Sequence, residues 1–114
     1  MKAGKAKGKN ELLPGTLEML ILKTLSIEPM HGYGIAQHIQ TLSADVLTIE
    51  EGSLYPALQR MLVKGWVSAE WKMSVNNRRA RFYTLTALGK KQLGVEETRF
   101  SQMFGAIMRV MTTT

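Results

Sequence analysis

The chain of 114 residues contains no cysteine. That excludes a disulfide framework and a thiolate metal site, and it fits a reducing cytoplasm. Acidic residues are scarce: nine stand against fifteen lysines and arginines, for a net charge of +6. Long apolar runs are missing too. The most apolar stretch, Leu17 to Leu25, is interrupted by Glu18 and Lys23 and is too short to cross a bilayer. No apolar segment of signal-peptide type follows the charged opening MKAGKAKGKN, so the expectation is a soluble, cytoplasmic protein with no membrane association. Glycine-rich phosphate loops and nucleophile motifs are absent. His31 and His38 have no partners at metal-ligand spacing and read as surface or turn histidines. The pairs Glu50-Glu51 and Glu96-Glu97 are adjacent, point in different directions on a helix, and look like caps and solvated faces. An enzyme, a cofactor and a metal site are therefore not expected.

What remains is a globular composition, 45% apolar and 21% charged, in a chain long enough for one core. The basic excess favours a polyanionic partner, nucleic acid before an anionic membrane surface, although a merely soluble basic protein would share it. Residues 1–10 carry Lys2, Lys5, Lys7 and Lys9 with no acid, and read as a disordered arm that either solubilises or brushes phosphates. Order should begin at Leu12-Leu13-Pro14-Gly15, with Thr16 capping a first, largely buried helix that ends near Ser26. A glycine turn, Met30 to Gly34, leads to a second helix running to about Leu42, with Ile35, Ala36, Ile39 and Leu42 inward. Ser43 to Leu47 connects to a third.

That third helix, residues 48–65, has two distinct faces. Leu54, Ala57, Leu58, Met61 and Leu62 fall on one side at i, i+3, i+4, i+7, i+8. Gly52, Pro56, Gln59 and Val63 lie opposite, flanked by Ser53, Tyr55, Arg60 and Lys64, a small and hydrogen-bonding surface suited to pressing against something. Thr48 and Glu51 have capping-box spacing, and Pro56 then sits inside the helix, with Gly52 relieving its clash. Past Lys64-Gly65, a helix stop, the period becomes two. Val67, Ala69, Trp71 and Met73 alternate with polar residues, Asn76-Asn77 supply a turn, and Arg79 to Leu85 form the return strand. Within 72–81 lie Lys72, Arg78, Arg79 and Arg81 and no acid. Thr86 can cap a last helix whose later part presents Phe100, Met103, Phe104, Ile107, Met108 and Met111. Because three helices already suffice for a core, this stripe is expected to meet a second copy of the chain.

The order helix, helix, helix, strand, basic turn, strand, helix predicts an α+β fold, mainly α with a small antiparallel hairpin: a winged helix-turn-helix plus a C-terminal helix. Its parts would be a basic arm (1–10), a double-stranded-DNA-binding domain (11–85) and a dimerisation helix (86–114). In such a fold the third helix enters the major groove. Ser53, Tyr55, Pro56, Gln59 and Arg60 then face base edges and phosphates, with Gln able to pair with adenine and Arg with guanine. Arg78, Arg79 and Arg81 become a wing on the backbone or in the minor groove. Tyr55, lateral on its helix, either meets DNA or packs at the edge of the core. A winged helix that docks on another protein is the alternative. An RNA-binding sheet is a third, with only Trp71, Phe82 and Tyr83 to stack bases, and those read mainly as core-side or hairpin packing.

The segments LLPGTLEMLILKTL, MHGYGIAQHI, EEGSLYPALQRMLVKGWVSAEW and NNRRARFYTLTALGKKQL resemble PadR-like transcriptional regulators, in particular the short subgroup with one C-terminal helix. The resemblance spans residues 11–93 and implies a homodimeric repressor on a palindromic operator. It assigns recognition to the Gly52–Arg60 segment and the wing to Asn77–Arg81, and it brings Tyr33 near the phosphates. Drug-responsive relatives sandwich flat ligands between aromatic residues of the last helix. The matching position here is Phe100, so Phe100, Phe104 and the nearby methionines are read either as a slot for a small aromatic effector or as plain dimer core.

Overall fold

A computed structural model describes residues 15–114, so the expected basic arm and the Leu12–Pro14 lead-in lie outside the described residues. The elements are α1 Thr16–Leu25, β1 Met30–His31, α2 Gly32–Leu42, α3 Glu51–Val63, β2 Val67–Met73, β3 Arg79–Leu85 and α4 Ala87–Met111. The three strands form an antiparallel sheet in the order β1-β3-β2. Helices and sheet share one core, in which Ile21, Leu22, Ile35, Leu54, Leu58 and Met61 are fully buried and Val67, Tyr83 and Leu93 close the rim. Full burial of each such side chain contributes about 1.5–3 kcal/mol. Thr24, the polar side chain in this core, donates its hydroxyl proton to the Leu20 carbonyl at 2.9 Å.

Several element starts differ from the sequence expectation, each for a local reason. Gly15, at φ 89°, occupies the N-cap position of α1, and Thr16 is the first helical residue rather than the cap. β1 replaces part of the expected turn, and α2 begins at Gly32, ahead of Gly34. Met30 and His31 pair with Tyr83 and Phe82, which holds the chain extended right up to the helix. His31 then caps α2, accepting the Gly34 N–H on Nδ1 at 3.0 Å while its ring meets Phe82 edge-on at 5.1 Å. Leu42, expected inside, is 72% exposed because the last turn of α2 overshoots the core. α3 starts at Glu51, not Thr48. Leu47 and Ile49 pack half-buried against the core, and the chain stays extended to Glu50, the N-cap residue.

The far end of α3 matches the expected stop. Gly65 at φ 78° follows Lys64, and the Trp66 and Gly65 N–H groups bond the Met61 and Leu62 carbonyls, each at 3.0 Å, in a Schellman arrangement. Thr86 caps α4 as expected, its Oγ1 accepting the Gly89 N–H at 3.0 Å. The same hydroxyl donates to the Gly65 carbonyl at 2.6 Å, and the Thr86 N–H bonds the Trp66 carbonyl at 3.1 Å. Gly89 is pressed against that Trp66 carbonyl so closely that a methyl group would collide with it and with Leu85.

Gly89→Ala is therefore expected to cost about 1–3 kcal/mol through overpacking. Gly94→Ala lies on the same helix with open space around its Cβ, and it should gain ~0.5–1 kcal/mol from helix propensity. Denaturant midpoints of the two variants check the pair, and equal shifts would show that the junction has slack.

Candidate nucleic-acid interface

The rotational setting of α3 follows from its apolar stripe. With Leu54, Ala57, Leu58 and Met61 buried, Gly52, Ser53, Pro56, Gln59 and Arg60 are left exposed. Pro56 lacks the N–H that would bond the Gly52 carbonyl, and at the sixth helical residue it costs one intrahelical bond near the helix start. Gly52 has open space where a side chain would stand. The outer surface at this end is thus shallow, with little side-chain bulk to hold another molecule away.

Tyr55 packs at the edge of the core and still keeps part of its ring exposed. It is 45% exposed, yet its ring covers Gly32 at the start of α2, where a Cβ would stand 2.6 Å from the phenol oxygen. Partial burial first, then the Glu51 carboxylate and Tyr83, push the phenol above the usual tyrosine range. Arg60 is engaged as well. Its Nε donates to Glu18 Oε2 at 2.9 Å, tying α3 to α1. Sequence spacing does not reveal that pair, because its members lie on different helices. Tyr33 is 67% exposed in the first turn of α2.

The hairpin supplies the charge. Val67↔Leu85, Ala69↔Tyr83, Trp71↔Arg81 and Met73↔Arg79 pair in register, so these eight side chains share one face. The turn closes with Ser74 N–H to the Arg78 carbonyl at 2.8 Å, and Asn77 takes the expected left-handed conformation at φ 58°. Arg78, Arg79 and Arg81 are exposed, and among the described residues no acid pairs with them. Lys72, on the opposite face, belongs to the same basic patch. Its ammonium lies 5.1 Å from the Phe82 ring centroid and 3.7 Å from Glu70. Of the two placements expected for it, Trp71 takes the hairpin one: it is 58% exposed, with the Arg79 guanidinium 5.1 Å from its ring centroid. Tyr83 is buried as expected, and Phe82 is half-buried.

α4 leaves the core after Leu93. Phe100, Met103, Phe104, Ile107, Met108 and Met111 are all exposed, between 39% and 70%, and the Phe100 and Phe104 rings stack at 5.9 Å with planes 16° apart. Among the described residues no helix is long and apolar enough to cross a membrane, and no three His, Asp or Glu side chains form a metal-binding group.

A helix with an exposed polar face, set beside a hairpin with a basic tip on a small three-helix core, defines a winged helix-turn-helix protein. Residues 21–95 match the model of the transcriptional regulator PadR-like family, and the chain belongs to that family, a family of DNA-binding transcription regulators. A PadR-like transcriptional regulator of Bacillus cereus shares the fold at a TM-score of 0.77, with 24% identity over 92% of this chain and 100% of its own. PadR family transcription regulators of Clostridium difficile and Eggerthella lenta are 25% and 27% identical, with TM-scores of 0.73 and 0.72. They cover 85% and 88% of this chain and 99% and 85% of their own. An uncharacterised protein of Lysinibacillus sphaericus is 27% identical over 75% of this chain and 78% of its own length.

Because burial and a neighbouring carboxylate favour the neutral Tyr55 phenol, the folded state holds that proton more tightly than the unfolded chain. Its contribution is complete below the unfolded value of about 10 and is lost as pH rises through the higher folded value. Denaturation midpoints measured across about pH 9 to 11 should fall less steeply for Tyr55→Phe than for wild type. Parallel profiles would mean that the phenol is as free as in the unfolded chain.

Proposed function

We propose that the chain is a homodimeric, sequence-specific repressor that holds a palindromic duplex operator with α3 in the major groove and the 74–81 wing on the backbone or in the minor groove. The observation carrying this reading is the pairing of two surfaces. The exposed Ser53–Gln59 face of α3 offers hydrogen-bonding groups, and the hairpin beside it presents Arg78, Arg79 and Arg81, with which no acid pairs among the described residues. Gln59 and Ser53 read base edges, with Gln matched to adenine. Arg60 reaches a guanine or a phosphate by exchanging Glu18 for it. Tyr33, Tyr55, Pro56 and Asn77 line the approach to the sugar-phosphate chain, and the wing arginines neutralise phosphates. The repressor role comes by analogy with the family, and the setting is the cytoplasm.

In this reading residues 11–85 form the DNA-binding unit, 1–10 a basic arm and 86–114 the dimerisation helix. The stripe from Phe100 to Met111 is the support for the dimer, since these six apolar side chains stand exposed on a helix that runs clear of its own core. A small aromatic effector belongs to the same proposal, because the parallel, exposed rings of Phe100 and Phe104 present a planar stacking platform.

Selection of bound sites from random duplexes, followed by titration at several salt concentrations, tests the DNA reading. Gln59→Ala is expected to relax base preference at one position, by about 1–3 kcal/mol of lost discrimination. Arg79→Ala should weaken all sequences alike and reduce the salt slope by about one unit. If both variants matched wild type on a selected palindrome, the assignment of face and wing would be wrong. Phe104→Glu or Met108→Glu should leave a monomer, because each places a charge in an apolar helix contact. An unchanged sedimenting mass would remove the α4 interface.

A further inference from the structure

Trp71 is the large aromatic side chain of this hairpin that the core does not use. Val67 and Ala69, on the same strand face, are buried and half-buried, whereas Trp71 is 58% exposed where the hairpin extends past the core. The register sets it directly opposite Arg81 and diagonal to Arg79, all on one face. The Arg79 guanidinium carbon lies over the ring at 5.1 Å. Among the described residues no carboxylate pairs with Arg79 or Arg81. That difference matters chemically. A carboxylate that ordered an arginine would occupy its N–H donors and cancel its charge before any phosphate arrived. An aromatic ring engages the flat face of the guanidinium by cation–π attraction and leaves the donors at its edge free.

We infer that Trp71 is a positioning residue of the wing: its ring holds the Arg79 guanidinium in place, charged and with donors unused, for a phosphate of the nucleic-acid backbone. The inference rests on the DNA-binding reading above and adds to it a residue that bears no charge. Holding the side chain in advance removes part of the rotamer entropy that an exposed arginine loses when it docks.

The test is a four-protein cycle of wild type, Trp71→Leu, Arg79→Gln and the double variant, titrated onto a fluorescein-labelled duplex chosen by the wild-type protein. Trp71→Leu should weaken binding about two- to fivefold, the range of an exposed cation–π contact. The slope of log K against log salt should be retained, because no phosphate contact is removed. Arg79→Gln should lower that slope by about one unit, and in its background Trp71→Leu should have no further effect. Trp71→Tyr should restore most of the affinity, since a face-presenting ring returns.

Additive losses in the double variant overturn the inference, as does a slope for Trp71→Leu that falls by several units, which would mean that the whole wing has collapsed. Wild type that binds duplex without salt dependence overturns the DNA-binding reading and this inference with it. Wild type that binds normally, with additive variants, overturns the inference alone.

Discussion

Gly65, Trp66, Thr86 and Gly89 meet at a single point through which the three working parts of the molecule are connected. α3 ends there in the Schellman turn, β2 departs one residue later, β3 returns, and α4 starts. One hydroxyl, on Thr86, ties the Gly65 carbonyl to the first turn of α4, and the Trp66 carbonyl takes the Thr86 N–H while Gly89 fits against it. Backbone groups that are left over at a helix end are satisfied by the start of another helix. The consequence is mechanical. The angle at which α4 leaves, the root of the wing and the end of α3 cannot shift independently without breaking these hydrogen bonds.

The polar surfaces are organised by what the apolar ones exclude. Burial of Leu54, Ala57, Leu58 and Met61 fixes the rotation of α3, and exposure of Ser53 and Gln59 follows from that rotation. The ion pairs also divide the basic groups into two kinds. Arg60 is matched by Glu18, so its charge is offset within the fold, in a pair of the exposed kind that contributes at most about 1 kcal/mol. Among the described residues the wing arginines have no such match, and their mutual repulsion is carried as a small cost by a two-stranded ribbon. Unpaired like charges on a projecting hairpin give a directed positive field, and that field is what a polyanion meets first.

The helices and the hairpin were legible because each presents a periodic apolar pattern long enough to count. The α3 stripe, the β2–β3 alternation, the left-handed Asn77 and the Gly65 stop all stand where their residue types predict. β1 was not legible, since two residues carry no period and its pairing with Tyr83 and Phe82 depends on a strand far along the chain. The His31 cap was hidden for a related reason, because histidine is outside the usual set of capping residues and this ring is held by Phe82. At Thr48 a matching local motif lost to tertiary packing, as Leu47 and Ile49 reach the core from an extended chain. Whether Trp71 packs on the core or only within the hairpin was not legible, because alternation tells which face a side chain takes but not how far the core extends beneath it. The Arg60–Glu18 pair depends on α1 and α3 crossing, which no single-element pattern contains.

The family match stops at Val95, yet the apolar face of α4 does not. At about 100° per residue, Gly89 and Leu93, which face the core, lie on the same side as Phe100, Phe104, Ile107 and Met111. One continuous stripe therefore packs first on the protein's own core and then runs on exposed, with Glu96, hydrogen-bonded by Gln92 at 2.8 Å, marking the change. A helix of 25 residues is roughly 37 Å long, so the exposed half carries the stripe well beyond the domain that anchors it. Because the junction at Thr86 sets the direction of that helix, whatever seats on the stripe is placed at a set distance and angle from α3 and the wing. Under the dimer reading the spacing of two operator half-sites would then be a property of the Thr86–Gly89 junction as much as of the residues that touch bases.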